Sequence, residues 1–265
     1  MKLSIASLAP FLLASTCSAF SMSMQLPGSN LSPGVVSKTS EWEINKISPV
    51  QRVEGMTRHA FSFNDSSKDV VQVAMTSPVA RPVDAEVNLW LGPDYTPYQL
   101  KCHTEDGKLF PIQTLVGTKG VPVNVEVKNI GKASYPLMTA CSYAISPLAE
   151  SPKAIQYRDQ IYIEGGAVKM FPFAPEVDQI QVLLKSQGKQ LKAKIELLNG
   201  PNNVKQEFEV YSSNGEKNYL FLVFETPGQG NAIRVKNLAT QEYPLDLYFR
   251  SSKTGKVEND SLEWN

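Results

Sequence analysis

Histidine is nearly absent: His59 and His103 are the only two in 265 residues. Neither has a companion at ligand spacing, so both read as surface histidines on strands rather than metal ligands or general bases. Cysteine is almost as scarce, with Cys17, Cys102 and Cys141 only, too few for a secreted disulfide framework. Charge of one sign is not in excess either: 26 basic residues meet 26 acidic ones. That balance excludes the basic surplus of a nucleic-acid binder. No apolar run is long enough to span a bilayer, so the chain is not expected to be transmembrane. There is no Gly-x-Ser-x-Gly elbow and no Walker loop. Gly228-Gln229-Gly230 is a lone Gly-x-Gly with no helix after it, which denies it the setting of a phosphate cradle. No catalytic, cofactor-binding or metal residue is therefore expected, and no enzyme activity. Scattered acids on outward strand positions read as solvated charge.

What the chain does have is an internal repeat. Displaced by 108 positions, Gly92–Tyr143 lies on Gly200–Ser251 without a gap, with 11 identities in 52 positions. Average residue usage would give roughly three. The matches include Gly92-Pro93 with Gly200-Pro201, Gly107 with Gly215, Val127-Lys128-Asn129 with Val235-Lys236-Asn237, and Tyr135-Pro136-Leu137 with Tyr243-Pro244-Leu245. Upstream the register shifts slightly, and Glu54-Gly55 meets Glu164-Gly165. Two units of this size are small domains rather than solenoid repeats.

Within each unit the apolar residues alternate. Val87, Leu89 and Leu91 alternate with Glu86, Asn88 and Trp90, and Val121, Val123, Val125 and Val127 with Pro122, Asn124, Glu126 and Lys128. Period two means half-buried strands, whose apolar faces need a second layer. Polar-Gly turns such as Asp106-Gly107 and Asn214-Gly215 punctuate them. The predicted fold is all-β: two tandem, pseudo-symmetric β-sandwich-like domains from an internal duplication, six or seven strands each and no helix. Domain 1 spans 41–145 and domain 2 spans 161–251, joined by a stiff linker over 146–160 that holds Pro147 and Pro152. In the recurring Lys-Asn and Tyr-Pro-Leu block, the Asn is expected to support a turn and Tyr135 and Tyr243 to pin the loop.

The flanks differ in character. Residues 1–19 read as a signal peptide: Lys2, an apolar stretch from Leu3 to Leu13, and a small-residue site at Cys17-Ser18-Ala19. Residues 20–40 hold six serines, Lys38 and no acid, as transit segments do. The Cys-Ser-Ala-Phe junction resembles the Ala-Ser-Ala-Phe motif of complex plastids, with Cys17 in place of the first Ala. Without this leader the body carries 24 basic and 26 acidic residues, a net of −2 that opposes self-association little. Cys102 and Cys141 face Val210 and Phe249 in the repeat, so they read as core thiols, with a disulfide between them the lesser alternative. The tail, 252–265, is polar but ends Leu262-Glu263-Trp264-Asn265. Trp42, Trp90, Leu262 and Trp264 are the candidate assembly contacts, being large apolar groups in flanking segments or on an outward strand face.

These residues together resemble the diatom pyrenoid shell proteins. The resemblance rests on the plastid-type leader and on two copies of a β-rich unit. Each copy carries a Leu-x-x-Gly-Pro strand end, a polar-Gly hairpin, a Thr-x-Gly turn and the Lys-Asn-[Ile/Leu]-x4-Tyr-Pro-Leu block. It covers the chain from about Glu41 onward and implies a non-enzymatic, self-assembling sheet around the Rubisco-filled pyrenoid of the chloroplast. There it would support carbon dioxide concentration and fixation. The implied partners are further copies of the chain, related isoforms, and Rubisco or a pyrenoid linker; no cofactor is implied. Two other classes fit the bare residues: a tandem β-sandwich binding carbohydrate or another ligand, and a hydrolase on a β-scaffold, whose carboxylates would meet only in three dimensions.

Overall fold

The computed structural model describes residues 42, 44–47, 50–226 and 230–252. The leader and tail readings fall outside the described residues, as do Leu262 and Trp264. Within the described residues sixteen strands form two eight-stranded antiparallel sheets packed face to face. The alternation read from sequence is what builds them. In β4 (Val83–Leu91), Val83, Ala85, Val87 and Leu89 point inward and are buried, while Glu86, Asn88 and Trp90 point out. In β12 (Leu191–Asn199), Leu191, Ala193, Ile195 and Leu197 do the same.

In repeat 1, β1 (Gln51–Val53), β8 (Leu137–Tyr143), β3 (Val70–Thr76) and β6 (Ile112–Gly117) lie side by side in one sheet. In the other, β2 (Arg58–Phe63), β7 (Val123–Asn129), β4 and β5 (Tyr95–Thr104) do so. Repeat 2 supplies the equivalent set. Its first sheet holds β9 (Ile161–Ile163), β16 (Leu245–Ser252), β11 (Gln179–Lys185) and β14 (Leu220–Glu225). Its second holds β10 (Val168–Pro172), β15 (Asn231–Asn237), β12 and β13 (Val204–Ser212).

The two sandwiches are fused edge to edge. β6 pairs with β14 in the first sheet, called sheet A below, and β5 pairs with β13 in the second, sheet B. The full orders are β1-β8-β3-β6-β14-β11-β16-β9 and β10-β15-β12-β13-β5-β4-β7-β2. The registers fix a pseudo-two-fold axis perpendicular to the sheets. Thr114 faces Leu222 and Lys101 faces Glu209, each pair separated by the repeat offset of 108. One apolar core runs through both repeats, from Val53 and Phe63 at one end to Phe171 and Phe249 at the other. Side-chain bonds cross the junction as well. Gln206 Nε2 donates to the carbonyls of Phe110 and Pro111, both at 3.1 Å, and Asn218 Nδ2 donates to Gly117 O at 3.0 Å.

The expectation of no helix is corrected in three short places. α1 (Ile44–Ile47) precedes β1, while a 3₁₀ turn (Leu148–Glu150) and α2 (Ser151–Ile155) precede β9. The first is a single turn and Pro152 sits in the first turn of α2, so neither could announce itself by periodicity. Their role is packing. Trp42, Leu148 and Ile155 are buried on the outer face of sheet A against Val70, Ala74, Leu115, Leu183, Phe221 and Val223. The 146–160 segment, read as a linker, thus also covers the middle of one sheet. β1 and β9, three residues each, are too short to show alternation and were not anticipated.

Candidate functional surfaces

The duplicated motifs resolve into duplicated structural devices. Asn129 Nδ2 donates to Val53 O at 3.1 Å and Tyr135 O at 2.8 Å, while its Oδ1 accepts from Gly131 N at 3.0 Å. Asn237 repeats this, donating to Ile163 O at 3.2 Å and Tyr243 O at 2.8 Å and accepting from Ala239 N at 3.0 Å. Each Asn therefore ties the end of a sheet B strand to the edge strand of sheet A and to the following loop. The expected turn-supporting role is what the geometry delivers. The tyrosines act through their carbonyls and through cations on their rings: Arg81 lies 5.2 Å from the Tyr135 centroid, and Lys189 5.5 Å from that of Tyr243.

The shared glycines are spaces rather than phosphate contacts. A Cβ on Gly55 would stand 2.0 Å from Lys132 O, and one on Gly165 1.9 Å from Thr240 O. Asp106 and Asn214 each cap their hairpin by accepting two backbone N–H bonds, from Lys108 and Leu109 and from Glu216 and Lys217 respectively.

Sheet B's outer face is a mosaic of paired charge. Glu196 accepts from Arg234 Nε at 2.5 Å, and Lys194 Nζ stands 2.8 Å from Glu207. Arg58 reaches Glu126 at 3.3 Å, and Gln99 bonds Glu86. The Arg234 guanidinium holds the Glu196 carboxyl below its ordinary range against the opposing effect of burial. The signs invert between repeats: Glu86, Lys101 and Glu126 in repeat 1 stand where Lys194, Glu209 and Arg234 stand in repeat 2.

Of the histidines, His103 Nδ1 lies 2.6 Å from Asp84 Oδ1 on this exposed face, and His59 stacks edge-on to Phe61. Among the described residues no group of three His, Cys, Asp or Glu side chains is placed to hold a metal. Cys102 and Cys141 are free and buried, and burial raises both thiols far above their ordinary range. This agrees with the core-thiol reading over the disulfide.

Of the candidate contact residues, Trp42 is buried on its own sheet, with 5% of its surface exposed. Trp90 is half-buried on the outer face of sheet B, opposite Asn124. The structure does not bring these two together: they sit on opposite outer faces. The feature that sequence reasoning missed is the set of sheet ends. Among the described residues no strand lies beyond β1 and β9 in sheet A, or beyond β2 and β10 in sheet B. In antiparallel pairs, residues alternate between bonding inward and facing away. Asn129 N bonds Thr57 O, and Asn237 N bonds Ala167 O. That phase leaves Arg58, Ala60 and Ser62 of β2, and Val168, Met170 and Pro172 of β10, with their backbone groups toward the open edge.

The fold and these surfaces define an all-β, duplicated double sandwich whose repeated motifs are structural latches and whose ends, among the described residues, are unpaired sheet edges. A model of a known family, described as diatom pyrenoid shell protein, matches residues 42–251. The chain belongs to that family. No curated protein matches the sequence. Among solved structures the chain is similar to the exported PBSX protein XepA, at 8% identity, 76% of this chain, 84% of that one and a TM-score of 0.23. It is similar to tomato vicilin at 9% identity, with coverages of 78% and 74% and a TM-score of 0.21. Oxalate decarboxylase from Bacillus subtilis follows at 6% identity, 77% and 74%, also with 0.21.

Proposed function

We propose that this protein is a structural, non-enzymatic subunit that assembles with copies of itself into a sheet-like shell around the Rubisco-containing pyrenoid of the chloroplast, so supporting carbon dioxide concentration and fixation. The observation that carries the reading is the slab itself. A duplicated body with a pseudo-two-fold axis offers two near-equivalent ends, at each of which no described strand pairs with the last strand of either sheet, and two such ends are what a subunit needs to contact more than one neighbour. The motifs shared by the repeats are spent on holding that slab together. Family membership supports the pyrenoid location. The leader, with its apolar stretch and the Cys17-Ser18-Ala19-Phe20 junction, supports a route by signal peptide and then transit peptide.

Electron microscopy of the purified chain from residue 41 onward tests this. Sheets or tubes are expected, and a monodisperse protein at all concentrations and salts would remove the reading. Truncation after Ser252, or Trp264→Ala, is expected to weaken sheets without unfolding the body, because the aromatic end of the tail has the form of an interface anchor. For the route, Phe20→Asp is expected to hold a fluorescent fusion outside the plastid, and unchanged import would discard it.

A further inference from the structure

We infer that copies of this chain add head to tail through their sheet edges, β10 of one copy lying antiparallel against β2 of the next and β9 against β1, so that both layers continue from copy to copy. The inference rests on the assembly reading above and names the surface that would carry it. Three observations lead to it.

The first lies inside the chain. The junction between the repeats is already an edge-to-edge contact made in both layers at once, by β5 with β13 and β6 with β14. This fold therefore joins its own units at sheet edges, and its two outer ends present the same kind of edge again.

The second is direction. Every neighbouring pair in both sheets is antiparallel, and each sheet holds eight strands. The first and last strands of each sheet then run in opposite directions. A copy displaced along the strand-stacking direction, without rotation, sets its β2 antiparallel to β10 and its β1 antiparallel to β9. The lengths match as well, six residues against five in sheet B and three against three in sheet A.

The third is that the two ends have diverged. Positions related by the upstream offset of the repeat are Arg52 and Tyr162, Arg58 and Val168, Ala60 and Met170, and Ser62 and Pro172. The repeat 2 end therefore exposes Tyr162 (48%), Val168 (53%) and Met170 (54%), while the repeat 1 end carries arginines with Ala60 and Ser62. Two unlike ends, one apolar and one bearing arginines with small side chains, can meet in a heterologous contact, which propagates when, as in a pure displacement, no rotation closes it. Pro172 adds direction, since it removes one donor from the β10 edge and leaves β2 the edge with all its N–H groups.

Ala60 and Met170 both face outward on their edge strands, so cysteines there test the contact directly. With a bismaleimide of about 8 Å, the reach of a diagonal cross-strand neighbour, the A60C/M170C protein is expected to give a covalent ladder beyond the dimer. A60C and M170C alone are expected to give none. Dimers from either single variant would mean like ends meet and would overturn the inference. So would a double variant that builds sheets yet cross-links to nothing. Ala60→Pro and Met170→Pro each remove an outward N–H and leave the inward ladder of their strand intact, so each is expected to keep the parent's melting temperature and lose at least tenfold in sheet yield. Sheets at parental yield from both proline variants also overturn it. These outcomes are distinct from failure of the shell reading, in which the parent protein itself forms no sheets.

Discussion

Lys101 and Glu209 stand directly opposite each other where β5 meets β13, and they are the same position of the two repeats. In a symmetric pair of identical units that position would face its own copy, and a charge there would meet a like charge. Duplication within one chain frees the two to differ. Like charges directly opposite destabilise a sheet, and opposite charges favour it. Glu209→Lys is expected to lower stability by about 0.2–1 kcal/mol, modest because Lys101 is exposed. Lys101→Glu with Glu209→Lys together should recover most of the loss. Urea unfolding of the parent, of Lys101→Glu and Glu209→Lys singly, and of the double variant checks this, and purely additive effects would show the pair to be uncoupled.

The Asn latches give a matched pair of predictions. Asn129→Ala removes two donors and one acceptor from buried backbone partners, and Asn237→Ala removes the equivalent set. Each should cost about 1–3 kcal/mol. Hydrogen exchange should quicken around β1 in the first variant and around β9 in the second. Exchange unchanged at both edges would mean that the latches do not hold the edge strands.

Cys102→Val copies what repeat 2 already uses at Val210 and should change stability by less than about 1.5 kcal/mol. Because burial disfavours both thiolates, neither cysteine should react with iodoacetamide in the native protein at pH 8. Intact mass after denaturing alkylation should show both thiols modified.

Acid should weaken sheet B through Glu196. Its folded carboxyl titrates below the ordinary value of 4.5, chiefly because Arg234 bonds it. The stability it contributes is therefore present above pH about 4.5 and is lost as pH falls through the lower folded value. Glu196→Gln should cost about 1 kcal/mol at pH 7 and flatten that acid limb. A parallel downward shift at every pH would show that the charge is not what matters.

Much of this fold was legible in the residues. Alternation located β4, β5, β7, β12, β13 and β15 because a half-buried strand must alternate, whereas β3, β6, β11 and β14 are buried on both faces and carry no such period. Cys102 and Cys141 could be placed in the core because their repeat partners are apolar. The one-turn helices and the three-residue strands were not legible, since neither is long enough to carry a period. Nor could sequence show that the repeats share their sheets. The residues of β5 and β13 alternate the same way whether the strands lie at a free edge or at a junction. Trp42 illustrates the same limit: an aromatic in a flanking segment must dock somewhere, but only the structure shows it lying on its own sheet A.

The two broad sides of the slab do not match. Among the described residues, one is overlaid by Trp42, the 3₁₀ turn and α2 above an apolar patch, while the other carries paired ions on its strands. The pseudo-two-fold axis runs through both sides and exchanges neither, so the molecule has a top and a bottom. A wall laid from copies all set the same way up would inherit that difference over its whole area. It would have one lining and one outer skin, and could hold different company on each without any second component to mark which is which.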